Sequence, residues 1–199
     1  METFVVAFRA TLVTLVLTGI AYPLVVTGAA QVVFPHRADG SIAVDDKGRE
    51  VGSELLAQGF ADPAYMHPRP SANSYDAANS GGTNLGTTSK KLRDGVVDLV
   101  ATYRRDNDVP AGTPIPADAV SRSASGLDPD ISPENARLQA PRIAKARGVT
   151  VDRVEAIVDE HVKGRELGFL GEPRVNVLAL DLALDRSFGA PRIAAATAR

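Results

Sequence analysis

Apolar residues are spread along this chain in two different ways. From Ala10 to Val33 about 24 residues, ATLVTLVLTGIAYPLVVTGAAQVV, pass without a charge. A helix of that run is about 36 Å long, more than the ~30 Å hydrocarbon core of a bilayer. Gly19, Tyr22 and Pro23 interrupt it, and membrane helices tolerate Gly and Pro better than soluble ones. Phe4, Phe8 and Phe34 flank it, where aromatic side chains settle at the membrane interface. A cleaved signal peptide is the competing reading, with Gly28-Ala29-Ala30 as its cleavage site, although such a peptide has an apolar core of only about 7–15 residues. A buried soluble helix fits less well, because every face is apolar. The run is read as a single membrane anchor at about 10–33. Residues 1–34 then form the anchor segment, and 35–199 form one soluble domain.

Beyond Phe34 the apolar positions become short and periodic. SIAVDDKGREVGSELL alternates around Asp46-Lys47-Gly48 and predicts a hairpin. Residues 59–89 are dense in Gly, Pro, Ser and Asn and carry no helical stripe, and a loop of that length is more often functional than decorative. Leu92, Val96, Leu99, Val100 and Tyr103 recur at helical spacing behind Ser89, a suitable N-cap. Val109–Gly126 is Pro-rich and turns again. Ser132-Pro133-Glu134 signals a helix start, and Pro141 is expected to kink or break that helix after about two turns. Thr150 should cap a further helix with Val151, Val154, Ile157, Val158 and Val162 on one side and Gly164 near its end. Residues 175–187, VNVLALDLALDRS, predict a short strand entering a helix. APRIA occurs at 140–144 and again at 190–194 in different surroundings, which reads as coincidence. The sum is an α+β protein: one N-terminal transmembrane helix followed by one mixed α/β domain.

Composition narrows the function. A charged fraction of 23% and a hydrophobic fraction of 44% are those of a globular protein. A net charge of −2 gives no electrostatic grip on nucleic acid. Arg9 and the terminal amine stand before the anchor, whereas Arg37 beyond it is soon followed by Asp39, Asp45 and Asp46. The positive-inside tendency therefore favours a cytoplasmic N-terminus and an extracytoplasmic body. There is no cysteine, and a domain of this size can bury enough core without disulfides.

Four stretches invite a chemical reading. NSGGTNLGTTSKK, residues 79–91, places Gly81 and Gly86 at the spacing of a phosphate-binding loop. Ser80, Gly81, Gly82, Thr83 and Asn84 are its candidate nucleotide-binding residues. The pattern, however, requires Lys where Thr87 stands, and it should follow a buried strand. The alternative is a tight glycine turn needing positive φ angles. YMHPRPSA, residues 65–72, is held extended by Pro68 and Pro70, so Tyr65, His67, Arg69 and Ser71 point to one side. They form either a polar binding face or a loop whose polar groups satisfy nearby backbone. Asp128, Asp130, Ser132 and Glu134 alternate as in calcium loops, but intervening prolines and a missing glycine favour a turn into a capped helix. His36, His67 and His161 form no zinc pattern, and no serine sits in a nucleophile elbow. No catalytic residue, metal ligand or cofactor is assigned.

Taken in order, TGIAYPL, YMHPRPSA, NSGGTNLG, SASGLDPDISPENARLQAPRIAKARG and VNVLALDLALD resemble the C subunit of Kdp-type potassium-transporting ATPases from about Thr18 to Arg186. Met66 stands where that family commonly has Phe, and Thr83 where Ser is usual. The resemblance implies a bacterial cytoplasmic-membrane complex that takes up potassium at the expense of ATP. Its other members would be a channel-like potassium-binding subunit, a P-type ATPase subunit phosphorylated on its own aspartate, and a very small hydrophobic peptide. It implies for this chain a non-enzymatic role as a catalytic chaperone that raises the ATP affinity of the ATPase subunit, ATP and potassium acting elsewhere in the complex. Within the lipid, Thr18, Gly19, Ala21, Tyr22 and Pro23 are the candidate helix-packing residues. Tyr65, His67, Arg69 and Ser71, with Ser125, Gly126 and Asp128, are the candidate partner or ion-entrance face. Direct ATP contact by the glycine loop and an exported small-ligand binding protein are the competing functions.

Overall fold

In the computed structural model, which describes residues 1–191, the apolar run lies inside one helical rod from Glu2 to Val33. It consists of α1 (Glu2–Val16), a π-helical turn (Leu17–Ala21) and α2 (Tyr22–Val33), and none of its residues is buried. The π turn has a local cause. Pro23 lacks an N–H and its ring would press on the carbonyl four residues back, so the preceding turn widens. The Tyr22 N–H accordingly reaches five residues back to the Leu17 carbonyl. A one-turn helix, α3 (Pro35–Ala38), follows. The chain divides into two compact units, the first ending at Ile42 and the second beginning at Ala43.

The predicted hairpin is present as β1 (Ile42–Val44) and β2 (Glu50–Ser53). Its turn is locked by Asp45, whose carboxylate accepts the N–H groups of Lys47 and Arg49, both at 2.9 Å, while Gly48 takes φ +73°. No regular element then occurs until α4 (Lys90–Asp106), capped by Ser89 as expected, with its Oγ accepting the Leu92 N–H at 3.3 Å. After α5 (Ala117–Val120) and β3 (Asp130–Ile131) come three helices: α6 (Pro133–Arg147), α7 (Val151–Glu160) and α8 (Val177–Phe188). β4 (Val175–Asn176) pairs antiparallel with β3, Ile131 opposite Val175, and feeds directly into α8, the strand-to-helix order read from the sequence. Arg192-Ile193-Ala194 of the second APRIA copy lie outside the described residues.

Two helix expectations need correction. Pro141 does not end α6, which continues through it to Arg147 and a left-handed Gly148 cap. Pro141 and Arg137 both lie on the exposed face, so water can take the Arg137 carbonyl that the proline leaves free. On the opposite face Ala140, Ile143 and Ala144 are buried, and their packing holds the helix through the proline. Thr150 stands at the N-cap of α7, but its side chain makes no capping bond, and the helix ends at Glu160, before Gly164.

The core of the second unit is the meeting of α6, α7, α8 and the β3–β4 pair: Ile131, Ile143, Val154, Val158, Val175, Leu180 and Leu184 are essentially dry. Met66 is the one large buried residue there from the long irregular segment. Its backbone neighbours have no strand or helix to bond to, and buried backbone groups must find partners. Side chains supply them. Gln139 accepts the His67 N–H through Oε1 at 2.8 Å and donates from Nε2 to the His67 carbonyl at 3.0 Å. Arg142 donates to the carbonyls of Pro63 and Tyr65 at 2.6 and 2.9 Å, and Arg147 donates to that of Ala64 at 2.8 Å. Asp181 accepts the Met66 N–H at 2.8 Å.

Asp181 is 2% exposed and its second carboxyl oxygen has no partner. Burial pushes its pKa well above 3.8, against the opposing pull of the Met66 N–H and Arg147. The folded domain thus keeps a proton that the unfolded chain releases. Asp181's contribution is most favourable below pH 3.8 and weakens as pH rises from there towards the folded-state pKa. Asp181→Asn keeps the acceptor for Met66 and removes the titration. In urea unfolding of the full chain in detergent, this variant should match the parent near pH 4. It should exceed the parent at higher pH, the gap opening by up to about 1.4 kcal/mol per pH unit until the folded carboxyl ionises.

Candidate functional site

YMHPRPSA forms no strand and bends at Tyr65, Arg69 and Ala72, yet the expected alternation is visible in burial: Ala64, Met66 and Pro68 are buried, while Tyr65, His67, Arg69 and Ser71 are partly exposed. Those four side chains are already engaged. Tyr65 Oη donates to Asp185 at 3.0 Å, and the Arg147 guanidinium lies 5.1 Å from the ring centre. Burial, then the Asp185 bond, push the Tyr65 pKa up to about 12. Burial, followed by the charge of Arg142, holds His67 below its ordinary value. Arg69 pairs with Asp128 at 2.8 Å, which joins this segment to SASGLDPD. Ser71 Oγ accepts the Asn73 and Tyr75 N–H groups at 3.2 and 3.0 Å.

The glycine loop is the second member of this cluster. The Gly81 N–H and the Ser80 hydroxyl both donate to the Ser125 carbonyl, at 2.8 and 3.1 Å. A Cβ on Gly82 would stand 2.7 Å from the Ala124 carbonyl oxygen. Gly126, at φ +71°, faces Asn73 so closely that a Cβ would meet its Oδ1 at 2.3 Å. Farther back, the Ser123 N–H donates to the Pro70 carbonyl at 3.0 Å. Ser80, Gly81 and Gly82 are therefore brought onto Ser125 and Gly126, beside the Arg69–Asp128 pair. The expectation of a turn with positive φ at its glycines does not hold. None of Gly81, Gly82 and Gly86 has positive φ, whereas Asn84 does, at +49°. Glycine is required here at Gly82 for close approach of two backbones.

Thr83 and Asn84 continue from that contact: with Gly82 and Ala124 they line a cavity of about 250 Å³ against Leu92 and Val96 of α4 and Arg122. An adjoining hollow adds Lys90 and Lys91, of which Lys90 is paired with Asp94 at 2.5 Å. A phosphate cradle works through free backbone N–H groups, and the Gly81 N–H is committed to Ser125.

The membrane candidates also converge: Thr18, Gly19 and Ala21 lie within the π turn, and Tyr22 and Pro23 open α2. The residues missed by sequence reading are those that hold the cluster from beneath, Gln139, Arg142, Arg147 and Asp181. Asp181 carried a signal, a lone carboxylate within the apolar run VLALDLAL. Gln139 and Arg142 carried none, because the backbone groups of residues 63–67 that they pair are more than seventy residues away.

The three glycines separate in a stability measurement. Gly82→Ala and Gly126→Ala should each lower stability by about 1–3 kcal/mol, through the backbone clash and the left-handed strain respectively. Gly81→Ala meets nothing within 4 Å and should stay within about 0.5 kcal/mol of the parent. Denaturant unfolding of the three variants checks this order.

Comparison with known proteins bears on the whole chain. The family described as KdpC, K+-transporting ATPase, c chain, matches residues 4–186. The chain is 56% identical over 190 residues to the potassium-transporting ATPase KdpC subunit of Myxococcus xanthus, covering 94% of this chain and 90% of that protein. It is 51% identical over 177 residues to the KdpC subunit of Mycobacterium tuberculosis (strain ATCC 25618 / H37Rv), covering 88% and 93%. To that of Caulobacter sp. (strain K31) it is 52% identical over 177 residues, covering 88% and 89%. The chain belongs to the KdpC family, the c chains of K+-transporting ATPases.

Proposed function

We propose that this chain is a non-catalytic subunit of a bacterial ATP-driven potassium uptake complex, acting in assembly and coupling. Its helix lies among the membrane helices of a channel-like subunit, a P-type ATPase subunit and a small hydrophobic peptide. Its body caps the extracytoplasmic mouth of the channel-like subunit, with the joined YMHPRPSA, NSGG and SASGLD segments as the surface at the entrance. Arg69 does not coordinate potassium, which takes oxygen ligands, but its charge and that of Asp128 shape the field there.

The observation that carries this reading is the helix Glu2–Val33, without a charge from Ala10 onward and with no residue buried within the chain. Lipid and neighbouring helices are what such a surface requires. The glycine loop supports it too, because its contacts build a shape from two backbone segments. An effect on the ATP affinity of the ATPase subunit is then allosteric, a coupling free energy of about 1–3 kcal/mol.

The chain has no cysteine, so a single thiol reports topology. Ala78→Cys, on the exposed part of the loop, should react with a membrane-impermeant maleimide in spheroplasts as fully as in lysed cells. Labelling only after lysis would overturn the extracytoplasmic placement. Omitting the chain from the reconstituted complex should raise the apparent KM for ATP by about 5–150-fold, while the full chain alone in detergent should not retain an ATP analogue. Retention by the chain alone would instead establish direct nucleotide contact.

A further inference from the structure

Between α7 and β4 the chain makes a projecting hairpin. Its stem is closed by paired backbone bonds, Lys163 N–H to the Arg174 carbonyl at 2.8 Å and Arg174 N–H to the Lys163 carbonyl at 3.0 Å. Nearer the tip, Glu166 and Leu170 exchange bonds of 2.9 Å in both directions. The turn itself places Leu167 and Gly168 at φ +52° and +82°, a conformation unfavourable for a leucine. This built structure holds three large apolar side chains in solvent: Leu167 is 82% exposed, Phe169 68% and Leu170 49%.

Around them stands a ring of ion pairs. Arg165 meets Glu172 at 2.5 Å, and Arg174 meets Glu166 at 2.9 Å and Asp130 at 3.1 Å. Lys163 is then the one stem cation without an ion-pair partner among the described residues. Electrostatic docking on anionic lipid uses clusters of about 4–8 basic residues, so the charge pattern does not suit headgroups. An apolar centre inside a polar, self-neutralised rim is the anatomy of a protein–protein contact, and an aromatic anchor is its usual energetic centre. A second copy of this chain is disfavoured by size. A phenylalanine buries ~150–250 Å², and with two leucines the tip remains far below the ~1,200–2,000 Å² of a stable interface. A peg this small is effective where another contact already holds the partners together, because tethering raises the local concentration.

We infer that the Leu167–Phe169–Leu170 tip is a docking peg that inserts into an uncharged, apolar pocket on a partner protein subunit already engaged by the chain's membrane helix. This rests on the subunit role proposed above. The tip side chains project into solvent, so Leu167→Ser/Phe169→Ser should leave the unfolding midpoint of the chain unchanged. The same variant should lower recovery of the other subunits with the chain, after detergent washing, by about tenfold or more. Benzoylphenylalanine at position 169, irradiated in membranes containing the whole complex, should give an adduct with a partner polypeptide. An adduct with lipid only, with a second copy of this chain, or none at all overturns the inference, as does unchanged recovery of the double variant. Failure of the unaltered chain to copurify with any subunit would instead overturn the subunit role itself.

Discussion

The second unit depends on one requirement: the backbone of residues 63–67 runs along the core in no regular element, with Met66 buried in it, and its polar groups must still be paired. Gln139, Arg142 and Arg147 on α6 and Asp181 on α8 meet that requirement. These bonds act as a substitute for a sheet ladder. They fix a segment whose own sequence, rich in proline, could not pair with a strand on both sides. Because Met66 is held at the centre, its neighbours at 65, 67, 69 and 71 are presented on the outer side in a set order. The spacing of the polar face is thus decided by groups beneath it that never reach the surface.

The elements legible in the sequence were those with local causes. The hairpin at 42–53 follows from Asp45 and Gly48, α4 from its Ser89 cap, and the strand-to-helix passage at 175–188 from Asn176, whose side chain accepts the Ala179 N–H. Pro141 misled for the complementary reason. The proline rule describes a helix judged alone, and α6 is held by a packed face that the rule does not see. The candidate site was legible as three separate stretches. That Gly82 lies against Ala124, or Arg69 against Asp128, depends on contacts across some forty to sixty residues, which no periodicity encodes.

Gly81 and Gly82 show how one composition serves two ends. A run of small residues suits a phosphate cradle because N–H groups stand open, and it also suits a seam between two chain segments because nothing intervenes. In this fold the Gly81 N–H points into the seam, and the Gly82 position has no room for even a methyl group. The rest of the loop, Thr83 and Asn84, leads from that seam into a cavity against α4 that Gly82 and Ala124 also line.

The π turn in the anchor has a further consequence. With the Tyr22 N–H on the Leu17 carbonyl and no N–H on Pro23, the Thr18 carbonyl has lost both the donor four residues on and the donor five residues on. The Thr18 hydroxyl cannot help, since it donates to the Thr14 carbonyl at 2.8 Å. Hydrocarbon offers no donor to such an oxygen. The rod therefore has a preferred azimuth about its long axis, the one that turns this oxygen from the acyl chains towards a polar group. The additional residue in the turn also advances everything beyond it by about 100° of helical phase. The two halves of the rod consequently carry their side-chain stripes about 100° out of phase with an uninterrupted helix.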